Sequence, residues 1–202
     1  MKTLFVSVVV ASLTVAGTTA QTKHSEHFSN WPAGTSPAEV GKRVAENFVP
    51  RKFRYETDTK KAHLGVIYPE VCTWYGALTV AQWSGNTNLT ARLIAKFEPL
   101  LTEAGAKYIS QSAHVDFRVF GIVPLEIYLQ TKDKRCLDLG LKLADAQWAK
   151  TTPDGITREA RYWIDDMYMI PLVQVQAYRT TKDAKYLDRA AKTMVAYLKR
   201  LQ

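Results

Sequence analysis

Thr131-Lys-Asp-Lys-Arg-Cys-Leu-Asp138 and Thr181-Lys-Asp-Ala-Lys-Tyr-Leu-Asp188 are two copies of one short stretch, and together they predict the fold. The copies match at five of eight positions at an offset of 50 residues. A weaker copy begins at Ser84-Gly85-Asn86, about 47 residues before the first. Each copy lies between a nearly continuous apolar segment and an amphipathic one, which is typical of the turn in a helical hairpin. Hairpins stacked side by side give an open solenoid or a closed ring with the more apolar helices inside.

The apolar pattern around these turns predicts the helices. Ser36-Pro37-Ala38-Glu39 has the sequence of a capping box, and we expect its helix to end near Phe48. The segments 71–83, 117–129 and 165–178 are apolar almost throughout and predict inner helices. The expected core-facing stripes of the amphipathic helices are Leu93, Phe97, Leu100 and Leu101; Leu137, Leu141, Ala144 and Trp148; and Leu187, Ala191, Met194 and Leu198. No segment alternates as a strand does, so the predicted class is all-α.

The N-terminus has the pattern of a secretory signal peptide over residues 1–20. Lys2 precedes an apolar run from Leu4 to Val15, and the small residues Ala16-Gly-Thr-Thr-Ala20 suit a cleavage site. The run is too short for a typical membrane span. We therefore expect an exported protein, periplasmic or extracellular, without a membrane partner. Residues 21–68 would form an N-terminal arm, a first helix and a basic loop, and residues 69–202 the hairpin repeats.

The net charge points to an anionic partner. The chain carries 27 basic and 19 acidic residues, a net charge of +8, and loss of Lys2 with the leader leaves +7. A basic surface attracts anions. Nucleic acid is not expected for an exported protein without a recognisable binding motif, whereas an acidic polysaccharide fits the compartment. The basic run of 51–68 is either a solvated loop or a rim that faces an anion.

Cysteine and histidine usage predicts neither a metal nor a cofactor. No CxxC, HExxH or His/Cys cluster is present. Cys72 and Cys136 lie far apart in apolar helical patterns, which favours two buried free thiols over the disulfide that export would permit. Asn88-Leu89-Thr90 is a glycosylation sequon, although a helix cap is the preferred interpretation of Asn88.

Two adjacent acids, Asp165 and Asp166, interrupt the apolar sequence where the third inner helix begins. They could cap that helix, or hold a carboxyl group in a cleft for proton transfer. The 50-residue offset aligns Asp116 with Asp166, one position from Asp165. In a ring the starts of the inner helices gather at one rim, so these acids would line one pocket. The predicted neighbours in that pocket are Tyr162, Trp163, His114 and Arg118.

Two motifs then suggest a family. His114-Val-Asp-Phe-Arg-Val-Phe-Gly-Ile-Val-Pro-Leu-Glu-Ile-Tyr128 and Arg161-Tyr-Trp-Ile-Asp-Asp-Met-Tyr-Met169 resemble glycoside hydrolase families 105 and 88, the unsaturated rhamnogalacturonyl and glucuronyl hydrolases. The resemblance covers about residues 70–202. It implies an (α/α)6 toroid, of which this chain would be the incomplete N-terminal half. It also implies acidic oligosaccharide substrates with a 4,5-unsaturated uronic acid at the non-reducing end, to which water is added across the double bond.

The resemblance implies roles for individual residues. Asp165 matches the proton donor, and Asp116 matches its partner carboxylate. By position, Trp74, Tyr75 and Trp163 would contact sugar, although Trp74 and Tyr75 could equally pack in the core. Arg118 would pair with the uronate carboxylate. Asp154-Gly-Ile-Thr-Arg158 occupies the region where many family members have a histidine.

Two other functions stay open at this point. The first is a non-catalytic helical-repeat module that binds glycan or protein, and the second is another enzyme on the same toroid, such as a sugar epimerase. An incomplete ring would also expose apolar helix faces at its open edge, through which the chain could self-associate.

Overall fold

The structure, a computed structural model, describes residues 30–201. Within that range the secondary structure is helical apart from one isolated bridge between Thr151 and Thr157, which confirms the all-α class. No helix within 30–201 is long and apolar enough to cross a membrane. The signal peptide predicted at residues 1–20 lies outside the described residues and stays a prediction.

The α-helices are α1 (Pro37–Phe48), α2 (Arg54–Thr57), α3 (Tyr68–Trp83), α4 (Thr87–Ala95), α5 (Glu103–Ala106), α6 (Val115–Arg118), α7 (Ile122–Thr131), α8 (Lys134–Ala146), α9 (Asp166–Thr181) and α10 (Ala184–Arg200). Short 3₁₀ turns cover Thr59–Leu64, Glu98–Leu101 and Val119–Gly121. The last of these joins α6 to α7, so the two form one nearly continuous rod.

The more apolar helices α3, α7 and α9 lie inside, and the amphipathic helices lie outside them. Helix α7 packs between α3 and α9, while α1 and α4 cover α3, α8 covers α7 and α9, and α10 covers α9. Asp116 pairs with Arg161 near the starts of α6 and α9, and Glu126 bonds to Gln176 further along both rods. These two contacts show that the rods run parallel. The closed toroid stays a prediction.

The start of α3 lies at the same end of the molecule as the start of α9. The Tyr168 side chain, in the first turn of α9, lies beside Cys72 in the first part of α3, and each affects the pKa of the other. The starts of the inner helices therefore gather at one rim, as the hairpin repeat predicts.

An aromatic cluster fixes α3 against its covering helices. The indole of Trp74 is completely buried and donates to the carbonyl of Leu93 at 3.1 Å. The rings of Phe48, Phe53 and Phe97 lie 5.3–5.8 Å from it. Buried aromatic pairs of this kind contribute ~1 kcal/mol each beyond their area. Trp74 is thus a core residue that joins α1, α3 and α4.

Helix α8 approaches α7 closely because of Gly140. A Cβ atom on Gly140 would lie 2.4 Å from Cγ of Leu125. No side chain fits in that space, so a larger residue would force the two helices of the first repeat apart.

The N-terminal helix forms as its sequence predicts. Ser36 accepts from the backbone of Glu39 while the Glu39 carboxylate accepts from the backbone of Ser36. The helix ends at Phe48, which confirms the predicted bounds of α1. The loop predicted for 51–68 is wrong in part, because it contains α2 and a 3₁₀ turn.

The stripe predicted for α10 is wrong by one residue. Leu187 and Leu198 are 44% and 49% exposed, whereas the buried face carries Tyr186, Ala190, Thr193 and Tyr197. The tyrosines are favoured inside because their hydroxyls have partners, Asp145 for Tyr186 and Asp166 for Tyr197. A buried hydroxyl that keeps its hydrogen bond carries no desolvation penalty, and the ring adds apolar area.

The cap of α4 differs by two residues from the one predicted. Asn86, not Asn88, caps α4 by accepting from the backbone of Leu89 at 3.0 Å.

Cys72 and Cys136 are both free, Cys136 buried and Cys72 half-buried. Burial raises the pKa of the Cys136 thiol to about 12, so that group is unreactive.

Candidate active site

The carboxylate of Asp166 organises the rim where the inner helices start. Its side chain has no exposed surface, yet both oxygens are hydrogen-bonded. Oδ2 accepts from the Tyr197 hydroxyl at 2.6 Å and from the backbone of Arg161 at 2.8 Å, and Oδ1 accepts from the Arg161 guanidinium at 2.6 and 3.0 Å. Burial opposes ionisation, but the bonds from Tyr197 and Arg161 outweigh it and hold the pKa of Asp166 below its ordinary value.

These bonds shape the segment before α9. Tyr162 has a left-handed backbone, φ 60°, which is costly for an aromatic residue. Its ring stacks on Tyr197 at 4.9 Å with the Arg200 guanidinium 4.1 Å above it, contacts that offset the cost. The segment therefore curls around Asp166 and directs Asp165 outward.

Capping does not explain the acidic pair. Asp165 occupies the N-cap position of α9 but makes no side-chain cap hydrogen bond. Asp166 accepts backbone bonds from Arg161 and Trp163, which precede the helix. The Asp166 carboxylate therefore binds the backbone of the segment before α9, not the N–H groups of the helix. Asp165 makes no such backbone bond.

Arg161 brings Asp116 and Asp165 together. Its Nη2 lies 2.9 Å from Oδ2 of Asp165, and its Nη1 lies 3.5 Å from Oδ1 of Asp116. The side chains of Asp165 and Asp116 are 41% and 29% exposed, whereas that of Arg161 is 20% exposed. Burial disfavours the charged guanidinium, but the surrounding carboxylates outweigh this and raise the pKa of Arg161. The result is two accessible carboxylates on one permanently charged group.

Sequence reasoning singled out Arg118 and missed Arg161. The signal was present, because Arg161 precedes Asp165 by four residues in the quoted motif. That spacing would imply a contact only in a helix, and Arg161 lies before the helix begins.

Arg118 does not face this pocket as predicted. Arg118 as a residue is 6% exposed, and its Nε donates to Glu159 at 3.0 Å. Burial raises the pKa of Glu159 to about 7, against the opposing effect of Arg118. In this structure Arg118 is thus buried and bonded to Glu159, and its binding of a uronate carboxylate stays a prediction.

The three aromatics predicted to contact sugar differ in their exposure at the rim. Trp74 is in the core with no exposed surface, which favours the core-packing alternative over stacking on sugar. Tyr75 is half-buried beside Glu126 and Arg179, away from the helix starts. Trp163 is 63% exposed, and the Arg161 guanidinium lies 4.5 Å from its ring. Of the three, only Trp163 offers a face beside Asp165.

Tyr168 is a further exposed aromatic at the rim, and sequence reasoning passed over it. It lies three residues after Asp165 in α9 and is 46% exposed. Burial of the rest of the side chain raises the pKa of Tyr168 to about 12, so its hydroxyl remains a donor at neutral pH.

His114 is the N-cap residue of α6. Its Nδ1 accepts from the backbone of Asp116 at 3.2 Å and so caps this short helix. Within residues 30–201, no group of three or more His, Cys, Asp or Glu residues is placed to hold a metal ion.

The family follows from a comparison with known sequences. The profile of Glycosyl Hydrolase Family 88 matches residues 40–202, which is most of the chain. The chain belongs to this family. Neither the curated proteins nor the solved structures compared with it gave a match. Membership makes this a glycoside hydrolase chain, and it extends the resemblance seen from about residue 70 back into α1.

Proposed function

We propose that the protein hydrolyses unsaturated uronic-acid oligosaccharides, the products of polysaccharide lyases acting on pectin, rhamnogalacturonan or similar polymers. The observation that carries this proposal is the placement of Asp116 and Asp165 on one guanidinium at neighbouring helix starts. Both carboxylates are open to a ligand, and Trp163 presents an indole face beside them. Family membership supports the substrate class.

The proposed reaction adds water across the C4–C5 double bond of the terminal sugar. Asp165 donates a proton to C4, and water then attacks C5 while it gives up a proton to the resulting carboxylate. The product is a hemiketal at C5, which opens and releases the next sugar. Asp116 holds the sugar and completes the negative surroundings of Asp165.

Arg161 is the positioning residue in this scheme. Three carboxylates share its single positive charge, and an arriving uronate brings a fourth. Added negative charge in a partly enclosed site favours uptake of a proton by a carboxylate. We infer that the substrate carboxylate competes for Arg161 and frees Asp165 to act as the acid.

The test is turnover of an unsaturated disaccharide, followed by loss of the ultraviolet absorbance of its conjugated double bond. Asp165→Asn should lower kcat by ~100-fold or more, the usual contribution of a positioned acid, while the far-ultraviolet circular dichroism stays unchanged. The control is Asp188→Asn, an exposed carboxylate on α10, which should leave kcat unchanged.

Two results would overturn the proposal. Equal turnover by Asp165→Asn and the wild type would remove Asp165 from the chemistry. Binding of the disaccharide by the wild type without any turnover would favour the non-catalytic glycan-binding module instead.

A further inference from the structure

A basic cleft lies where the start of α3 faces the end of α1, and none of its lining residues is one of the paired acids or Arg161. It has a volume of about 550 Å³. Its apolar floor is formed by Phe48, Ile67 and Pro69, and its cationic wall by Arg51, Lys52 and Arg54. We call this site the basic cleft.

Glu70 and Lys96 hold the loop that lines the basic cleft through its backbone. Glu70 accepts from the backbone of Arg54 at 2.5 Å with one oxygen and from the backbone of Ile67 at 3.1 Å with the other. Lys96 donates to the carbonyl of Arg51 at 2.5 Å while lying 4.1 Å above the ring of Phe53. The loop is thus fixed through its backbone, and these bonds do not occupy its basic side chains.

Those side chains have no acidic partner of their own. Within residues 30–201 no carboxylate lies within ion-pair distance of Arg51, Lys52 or Arg54. A smaller cavity of about 220 Å³ shares Phe48 and Arg51 with the cleft and adds Arg43. Four cations therefore line the combined groove against one carboxylate, that of Glu70, whose oxygens are occupied by backbone donors.

We propose that the basic cleft binds the carboxylate groups of an acidic polysaccharide chain, as a second site apart from the catalytic carboxylates. Unpaired guanidinium groups beside an apolar floor suit a uronic-acid polymer. Each sugar offers a carboxylate for bidentate bonding and a less polar ring face for the floor. The choice of polysaccharide over other polyanions rests on the proposed function.

The basic cleft is separate from the candidate active site in its contacts. None of its lining residues hydrogen-bonds or pairs with Asp116, Arg161 or Asp165. Its charge is also opposite, since the acidic rim has three carboxylates for one guanidinium. A polymer bound in the cleft would keep the enzyme on its polysaccharide while short unsaturated products react elsewhere.

The experiment measures the affinity of the full chain for polygalacturonate, by isothermal titration at low ionic strength. The triple variant Arg51→Ala/Lys52→Ala/Arg54→Ala should raise Kd about tenfold or more, as expected when charge-assisted bonds are lost. The matched control is Lys142→Ala/Lys192→Ala/Lys199→Ala, which removes the same charge from exposed positions on α8 and α10. It should change Kd much less.

Polygalacturonate has no unsaturated terminal sugar, so its binding is independent of turnover. Both triple variants should retain wild-type turnover of an unsaturated disaccharide if the proposed function holds. Absence of turnover in every protein, with the expected pattern of Kd, would sink the proposed function and leave the binding site standing.

Three outcomes would overturn the basic cleft as a polysaccharide site. Equal weakening by the two triple variants would show a general effect of net charge. An unchanged Kd in the cleft variant would place the binding elsewhere. Tighter binding of random-sequence duplex DNA, with displacement of polygalacturonate, would assign the cleft to nucleic acid.

Discussion

The two hairpin repeats are nearly identical at their turns. Lys132 and Lys182 both adopt a left-handed backbone, φ 63° and 61°, and each donates its backbone N–H to the tyrosine four residues earlier at 2.8 Å. Thr131 and Thr181 bond to the preceding turn at 2.8 Å in each case. A turn needs only contacts within a few residues, so a repeated sequence gives a repeated geometry.

The starts of the same two inner rods differ completely. The 50-residue offset pairs Asp116, 29% exposed at its side chain, with Asp166, which has no exposed surface. It also pairs buried Arg118 with Tyr168, which is 46% exposed. Halfway along, Glu126 and its counterpart Gln176 hydrogen-bond to each other at 3.0 Å. The repeat is conserved in geometry where it closes the hairpin and has diverged at the acidic rim.

The largest expected difference between the repeats is in stability, at the paired acids. Asp166→Asn removes the charge that balances a partly buried guanidinium and weakens five hydrogen bonds. We expect the free energy of unfolding to fall by ~3–5 kcal/mol, as for a broken buried pair. Asp116→Asn should cost about 1 kcal/mol or less, because its ion pair is longer and partly exposed. Urea denaturation of both variants measures the difference.

Tyr197→Phe is the milder variant if Asp166→Asn does not fold. It removes the hydrogen bond to Asp166 and the acceptor of the Tyr162 backbone N–H, and it leaves the ring stack with Tyr162 in place. We expect a loss of ~1–3 kcal/mol, the cost of an unpaired buried acceptor. A loss no larger than that of Asp116→Asn would contradict the structural role of Asp166.

A smaller effect is expected at Glu159, the partner of Arg118. Burial raises the pKa of Glu159 to about 7 from an ordinary 4.5. Between those values the folded protein holds a proton that the unfolded chain releases, so the free energy of unfolding falls as pH rises through this window. Each unit of pKa shift corresponds to ~1.4 kcal/mol, which bounds the effect at ~3 kcal/mol.

The measurement is the difference in unfolding free energy between the wild type and Glu159→Gln, from about pH 4 to pH 8. The contributions of other titrating groups cancel in this difference. The wild type should lose stability relative to the variant as pH rises, most steeply between the two pKa values. A difference that stays flat with pH would show that Glu159 is ionised throughout beside Arg118.

Local sequence rules predicted the parts of the fold that depend on local contacts. The capping box at Ser36 and the turns at Lys132 and Lys182 form as expected because their bonds join residues at most four positions apart. The all-α class and the gathering of helix starts follow from the repeat of those units. The α10 stripe failed because burial of Tyr186 and Tyr197 depends on acceptors in distant elements, which apolar periodicity does not contain.

The candidate site was predictable in its carboxylates and not in its cations or aromatics. Asp116 and Asp165 could be placed because the repeat and the family motifs both locate them. Arg118 and Trp74 are buried where the sequence suggested pocket residues, since sequence position on an inner helix does not say which side faces the core. Arg161 contacts the carboxylates from the segment before α9, next to Tyr162, whose left-handed backbone its residue type disfavours.

The smallest expected effect tests whether the turns at Lys132 and Lys182 have the same backbone energetics. Glycine is favoured over lysine at a left-handed helix end, so Lys132→Gly and Lys182→Gly should each raise the free energy of unfolding by up to ~1 kcal/mol. Each substitution also removes a lysine lying 5.3 or 5.6 Å above a tyrosine ring, and Lys132→Gly alone removes a hydrogen bond from Nζ to the carbonyl of Leu129 at 3.2 Å, all of them weak contacts at exposed positions. The two changes should therefore agree within ~0.5 kcal/mol in urea denaturation. Lys134→Gly, inside the first turn of α8, is the control and should destabilise by ~1 kcal/mol. A stabilisation at one turn and a loss at the other would mean that the hairpins differ in backbone strain despite their matching sequences.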